Sequence, residues 1–162
     1  LDDDTEPEAI AQLPYLTAVC SESLRVTPIA LICTPRLTKE PLQLAGYHLD
    51  TGTILIPCIY LAHRRAEVFP KPQQFMPERF LDRKFSPYEY LPFGGGYRGC
   101  IGTAFSMFEM KLVLATIVSN LHLALAQERP VRPVRRGITI VPSGGVPVVV
   151  TGQRSVSRFQ PV

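Results

Sequence analysis

Five glycines surround a single cysteine in Phe93-Gly94-Gly95-Gly96-Tyr97-Arg98-Gly99-Cys100-Ile101-Gly102. The sulfur is the atom with chemistry to offer: as a thiolate it ligates metals. A long apolar pattern of helical period begins directly after it, and the unpaired amides and dipole of a helix start favour negative charge. The glycines adopt positive φ at little steric cost, which marks a tight, irregular loop whose main chain can lie flat against something large and planar. Two other readings exist for such a loop. One is a glycine-rich turn around a buried structural cysteine. The other is nucleotide binding, because Gly94, Gly96 and Gly99 spell G-x-G-x-x-G. That fingerprint needs a strand before it and a βαβ unit around it. Pro87 and Pro92 interrupt the approach, and no acidic residue on a strand of its own follows about 20 residues later.

Further chemistry sits upstream. Glu22 and Arg25 lie three apart on a helical stretch, hence on one side; as an exposed pair they contribute only about 0.2–0.5 kcal/mol. Phe75-Met76-Pro77-Glu78-Arg79-Phe80 adds another guanidinium. The order F-G-x-G-x-R-x-C-x-G, filled at every specified position, resembles the cysteine-ligand loop of the cytochrome P-450 family. Glu22-Ser23-Leu24-Arg25 resembles its E-x-x-R helix, and the Phe75–Phe80 stretch its F-x-P-E-R-F motif, all in family order.

The resemblance implies haem b (iron protoporphyrin IX) with Cys100 as axial ligand, a bond that favours O–O cleavage. It makes Phe93 the shield of the sulfur, and it puts Arg98 and Arg36 near haem propionates, where a planar donor fork suits a carboxylate. Gly94, Gly96 and Gly102 become positions where backbone approaches the porphyrin or the adjoining helix. Glu22, Arg25 and Arg79 become a partly buried cluster that fixes the meander, residues 81–92, ahead of the ligand loop. The implied fold is mainly α with small β hairpins (α+β), the C-terminal, haem-ligand half of the cytochrome P-450 fold, incomplete.

Bulk properties bound the rest. A chain of 162 residues has room for one modest core. Its net charge of +3 selects no class of partner, and no aromatic interleaving in the arginine-rich stretch supports nucleic acid. Sixteen prolines forbid a continuous bundle of long helices. Cys20, Cys33, Cys58 and Cys100 show no C-x-x-C spacing, and the first three read as small core side chains in a reducing compartment. No run reaches the roughly 18 apolar residues of a membrane span.

In chain order, residues 1–13 read as an acidic linker with one short helical turn, 14–152 as part of a haem-thiolate monooxygenase domain, and 153–162 as a tail. Pro14 opens a helix striped by Leu16, Val19, Cys20 and Leu24. Ile29–Cys33 reads as a short buried strand, and Asp50-Thr51-Gly52 as the turn of a hairpin whose arms are 42–49 and 53–61. His63–Glu67 reads as a brief helix. After Cys100 a helix runs to Asn120 with Ala104, Phe105, Phe108, Leu112, Ala115 and Val118 or Ser119 on its stripe. Ser143-Gly144-Gly145 joins strands 138–141 and 146–150.

The expected function is haem binding within a monooxygenase that inserts one atom of dioxygen into a hydrophobic organic substrate. Electrons come from a ferredoxin or a reductase, and Arg98 and Lys111 suit an acidic partner. The resemblance also implies a distal oxygen-activating helix upstream of E-x-x-R. Only 21 residues precede Glu22, so the isolated chain is expected to hold no catalytic residue of its own and not to turn over. The alternative is a truncated, non-catalytic haem- or partner-binding module. The setting is soluble and cytoplasmic.

Overall fold

Pro14 fixes the first turn of the helix that carries Glu22 and Arg25, because its missing N–H is one the first turn leaves unpaired anyway. A computed structural model describes residues 5–154. Among them helices and strands alternate as an α+β arrangement, and the strands form separate two-stranded antiparallel ribbons. Helix α1 (Pro7–Ala11) precedes α2 (Pro14–Val26). Short strands β1 (Arg36–Leu37), β2 (Leu42–Leu44), β3 (Tyr47–Leu49) and β4 (Ile54–Leu55) follow. Two four-residue helices, α3 (Ile59–Ala62) and α4 (Arg79–Asp82), punctuate a long irregular passage. The passage ends in a 3-10 turn, Gly96–Arg98, and then α5 (Thr103–Asn120). Strands β5 (Leu121–Leu125), β6 (Pro133–Arg136), β7 (Thr139–Pro142) and β8 (Val148–Gln153) close the chain. The acidic run at 2–4 and the tail from 155 lie outside the described residues; Gln153, expected in the tail, ends β8.

The core is small and aromatic. Ala18, Cys20 and Leu24 of α2 are buried with Ile59, Val68 and Phe69. Phe85 stacks on Phe69 at 4.7 Å between centroids, and Phe80 sits 4.9 Å from both Phe85 and Tyr90. These rings draw the passage after α3 onto α2. Helix α5 packs against α1 and α2. Lys111 Nζ donates to the Ala11 carbonyl at 2.7 Å, a cation placed on the free carbonyls that end α1. Asn120 closes α5 by donating to the Thr116 carbonyl at 2.8 Å. On this helix Ala115 is buried, while Ala104, Phe105 and Val118 of the expected stripe face outward.

Several local expectations change. Ile29–Cys33 makes no strand: its one ladder contact is the isolated bridge Ile32–Cys58, and Ile29 and Ile32 are exposed. Pro28 at one end and Pro35 at the other leave too little backbone for a ladder. The first hairpin turns at Ala45-Gly46, where both residues hold positive φ (51° and 84°), the twist that suits a two-residue loop. Asp50-Thr51-Gly52 is a turn as well, but it returns the chain so that β4 pairs with β1, clamped by Thr38, whose N–H donates to the Thr53 carbonyl. The brief helix lies at Ile59–Ala62 and ends where it was expected to begin, with His63 as its cap. Ser143-Gly144-Gly145 does not join a hairpin; β7 pairs with β6 and β8 with β5. Cys33 and Cys58 are half-buried, and only Cys20 lies in the core.

Candidate functional site

Glu22 and Arg25 stand one helical turn apart on the buried face of α2, and neither has any exposure. The arginine grips the carboxylate with both arms: Nε donates to Oε2 at 2.7 Å and Nη2 to Oε1 at 2.8 Å. Its remaining donors reach main chain, Nη1 to the carbonyls of His63 and Pro72 at 2.9 Å and Nη2 to that of Gln74 at 3.1 Å. All five N–H groups of the guanidinium are thereby used. Arg79, at the start of α4, comes to the same carboxylate: Nε donates to Oε1 at 3.2 Å, and Nη1 to the Pro70 carbonyl at 3.1 Å. The Met76 amide adds a third bond to Oε1 at 2.8 Å. The structure therefore brings Glu22, Arg25 and Arg79 together out of contact with water. Glu78, the neighbour of Arg79, stays outside and accepts from the Tyr15 hydroxyl instead.

From this cluster a line of hydrogen bonds runs to the glycine loop through a residue the sequence did not single out. The His63 backbone carbonyl accepts from Arg25, while its ring Nε2 accepts from the Leu91 amide at 3.0 Å. The Leu91 carbonyl accepts from the Gly94 amide at 2.9 Å, and the Phe93 carbonyl from the Cys100 amide at 2.9 Å. His63 is fully buried and stacks on Tyr90 at 5.3 Å, whose hydroxyl donates to the Ser21 carbonyl of α2 at 2.9 Å. In the sequence His63 sits beside Arg64-Arg65-Ala66-Glu67, a charged run that reads as a brief helix and itself gives no sign of a buried ring. The apolar run Ile59–Ala62 before it was the available sign of burial.

The loop itself is open. Gly94 and Gly96 hold φ of 73° and 61°, a region costly to any residue with a Cβ. A Cβ at Gly94 would also approach the Cys33 sulfur to 3.9 Å, so the 29–35 segment flanks the loop. Cys100 is exposed and free, and no hydrogen bond reaches its sulfur among the described residues. It precedes the helix rather than belonging to it: Gly102 is the N-cap, and the Cys100 carbonyl accepts from the Thr103 hydroxyl at 2.7 Å. A Cβ at Gly102 would lie 3.7 Å from the Cys100 sulfur. Phe93 and Cys100 share a cleft of about 270 Å³ with Gly94, Gly99, Thr103 and Met107. Arg98 is exposed with no hydrogen-bonding partner among the described residues, and Arg36, also exposed, donates to the carbonyls of Thr34 and Pro35.

The donor set defines what could bind. Among the described residues no group of three or more His, Cys, Asp or Glu side chains could hold a bare metal ion. A lone accessible sulfur suits a metal that arrives with the rest of its coordination already supplied. The glycine backbone beside it carries no side chain to obstruct a flat ring, and two exposed arginines, Arg98 without a partner among the described residues and Arg36 bonded only to neighbouring carbonyls, offer forks for carboxylates. These residues fit a haem.

Protonation follows from the packing. Burial pushes the His63 pKa down to about 4, with the positive Arg25 and Arg64 adding to the effect and the Arg25 backbone opposing it. Burial alone would raise the Glu22 carboxyl; the bonds from Arg25 and Met76 and the charges of Arg25 and Arg79 outweigh it and hold the pKa below the ordinary range. Burial raises that of Tyr90 despite its bond to Ser21.

The α+β frame presents one exposed cysteine on a glycine loop ahead of a long helix. The family model described as Cytochrome P-450 matches residues 2–147, and the chain belongs to that family. Cytochrome P-450 135B1 of Mycobacterium bovis is 37% identical over 143 residues, which are 88% of this chain and 30% of that protein. Cytochrome P-450 3A29 of Sus scrofa is 35% identical over 137 residues, 82% of this chain and 27% of its own. The solved structure described as retinoic acid bound cyanobacterial CYP120A1 superposes with a TM-score of 0.86 at 26% identity, covering 95% of this chain and 36% of that one. The chain therefore spans about a third of the length of these relatives. Members of the family are haem-dependent monooxygenases that take hydrophobic substrates and draw on redox partners. No helix among the described residues is long and apolar enough to cross a membrane.

Two outcomes follow from the cluster. Glu22→Gln leaves two buried guanidiniums without their counter-charge and should cost about 3–5 kcal/mol in urea unfolding. Glu67→Gln, which breaks the exposed pair with Arg65, should leave the unfolding midpoint unchanged. Acid should also act through His63. Because its folded pKa lies below the unfolded 6.5, the unfolded chain takes up the proton first. Stability is then lost as pH falls from 6.5 towards 4, by roughly 3 kcal/mol. Glu22 contributes its share above the unfolded carboxylate value and loses it as pH falls through the lower folded one. Urea midpoints across this range should therefore drop steadily, and His63→Gln should flatten the fall between pH 6.5 and 4.

Proposed function

We propose that this chain supplies the axial thiolate and the proximal bed of a haem b, as part of a monooxygenase that inserts one atom of dioxygen into a hydrophobic organic substrate. The observation that carries the reading is Cys100: the one cysteine left exposed, on a loop whose backbone is tied to a buried charged cluster. When bound, the haem supplies the activation of dioxygen, helped by electron density from the thiolate. The chain's own residues do the positioning. Cys100 presents sulfur at a fixed place because its amide is held by the Phe93 carbonyl. Phe93, lining the same cleft, would shield the sulfur from water once the cleft is filled. Arg98 and Arg36 pair with the propionates, neutralising carboxylates that would otherwise repel one another, and Gly94, Gly96 and Gly102 admit close approach.

Electrons reach the site from a ferredoxin or a reductase. Of the two cations expected to suit an acidic partner, Arg98 is taken by a propionate in this reading, and Lys111 is engaged on α1 and serves the fold. The setting is the cytoplasm, and the chain divides into an acidic segment 1–13, a domain from 14 that runs to Gln153 at the end of β8 rather than to 152, and a tail beyond it. The isolated chain is proposed not to turn over. It spans 30% of a bacterial relative, which favours, as a second reading for the chain acting alone, a non-catalytic haem- or partner-binding module.

Reconstitution with haem decides the ligand. The ferrous–CO adduct should show the red-shifted Soret band of thiolate ligation, and Cys100→Ser should abolish it; a band unchanged by that substitution refutes the assignment. Supplied with haem, a reductant and a lipophilic substrate, residues 1–162 should form no product above a haem-only control. Sustained coupled turnover would show that the chain carries the whole catalytic apparatus.

A further inference from the structure

We infer that His63 is a positioning residue for the ligand loop: its ring is the joint through which the buried Glu22–Arg25–Arg79 cluster sets where the Cys100 sulfur stands. The inference rests on the haem-thiolate reading and adds to it a residue outside the three motifs that carried the resemblance.

The geometry is directional. One residue binds the cluster by its backbone and the loop by its side chain, the carbonyl accepting from Arg25 Nη1 at 2.9 Å and Nε2 accepting from the Leu91 N–H at 3.0 Å. A nitrogen that accepts carries no proton, so the neutral ring keeps its proton on Nδ1. That Nδ1 is buried and finds no hydrogen-bond partner among the described residues. The Arg25 backbone lies where it favours that proton without forming a hydrogen bond of full geometry, so the one well-formed bond of the ring among the described residues is the one it accepts from Leu91. The alternative tautomer would set an N–H of the ring against the N–H of Leu91 and break the link.

The surroundings hold the ring in that state. Tyr90 stacks on one side at 5.3 Å and Phe69 meets its edge at 6.2 Å, fixing the plane. Arg25 and Arg64 lie close by, and both disfavour a second proton. Arg64 is itself anchored, donating to the Val26 carbonyl at 2.9 Å and lying over the Tyr60 ring at 3.7 Å. On the far side of the joint, Leu91 is followed by Pro92, which has no N–H to offer. The loop's entry is therefore held at the Leu91 amide, at the Leu91 carbonyl by Gly94, and at Phe93 by Cys100. Remove the His63 acceptor and the first of these holds is lost, with a proline unable to replace it.

The test begins with the unaltered, haem-loaded protein. Nitrogen NMR of labelled histidine should show His63 with Nε2 unprotonated and Nδ1 protonated, and a scalar coupling between Nε2 and the Leu91 amide. The opposite tautomer overturns the inference and needs no variant. Next, His63→Leu should speed exchange of the Leu91 amide by about tenfold. It should also shift the ferrous–CO adduct from the red-shifted thiolate band towards the shorter-wavelength form. His63→Gln, whose carbonyl oxygen can take the place of Nε2, should restore both. Val68→Ala, a core truncation off this line, should lower stability without moving the Soret band. A folded His63→Leu protein with Leu91 exchange and band both unchanged overturns the inference; if His63→Leu does not fold, the tautomer and the His63→Gln protein decide. Wild-type protein lacking the thiolate band overturns the ligand reading itself, before any His63 variant is made, and with it the purpose assigned to His63.

Discussion

One carboxylate, fully enclosed and shared by two guanidiniums, is the constraint on which the rest of this structure depends. Moving such charges out of water costs several kcal/mol per ion, and their attraction repays it only when geometry is good and the leftover donors are satisfied. Here the geometry is bidentate, and Arg25 leaves no N–H unused. Compared with an apolar trio of the same volume, the cluster is not a strong source of stability. What it offers is uniqueness. Forks that must meet a carboxylate and several carbonyls at once accept only one arrangement of the segments that supply them.

That arrangement concerns the least regular part of the chain. Between α3 and α5 lies a passage with little ladder or helix of its own and prolines at 70, 72, 77, 87 and 92. A proline contributes a carbonyl and no donor, so such backbone cannot satisfy itself. Arginine is the chemical complement: donors only, in a fixed plane. Arg25 takes the carbonyls of His63, Pro72 and Gln74, Arg79 takes that of Pro70, and Glu22 takes the Met76 amide. Four backbone groups of an irregular stretch are thus tied directly to one turn of α2, and a fifth, the Pro70 carbonyl, through Arg79. The aromatic stack of Phe69, Phe85, Phe80 and Tyr90 then covers the tie and excludes water from it.

This explains what the sequence could and could not disclose. The glycine loop, α2 from Pro14 and the end of α5 at Asn120 were legible because their signals are local: positive-φ residues, a proline at a helix start, a period. The meeting of Glu22 with Arg79 was legible only through resemblance, since 57 residues separate them and each reads singly as a surface charge. The ribbons were misjudged because pairing is not local. Ser143-Gly144-Gly145 has the composition of a hairpin turn, yet β8 reaches back past β6 and β7 to β5, a strand hidden in the plain run Leu121–Leu125. Ala45-Gly46 was passed over because alanine rarely takes the left-handed conformation it holds here. His63 was invisible for a different reason. Its importance lies in two bonds that each use a main-chain group, its own carbonyl and the Leu91 amide, and main-chain groups leave no mark in the identity of a residue.

A division of labour follows between the buried and the open ends of this line. In the proposed role the sulfur must remain accessible to bind, so Cys100 could not itself be locked by packing, and its neighbours Tyr97 and Ile101 are fully exposed. A ligand on a mobile loop would lose conformational freedom each time it bound, at a cost of about 1–2 kcal/mol for each residue fixed. The structure meets both demands by fixing the backbone from behind: rigid charge at Glu22, a ring at His63, an amide at Leu91, and a carbonyl at Phe93 that receives the Cys100 N–H. Order is set up where water is absent and delivered, through main-chain atoms, to a place where the side chain is free. On the inference drawn above, changes anywhere along that line would alter the position of the sulfur without touching it, which would make the charged triad and the histidine part of the site although none of them lies on the loop.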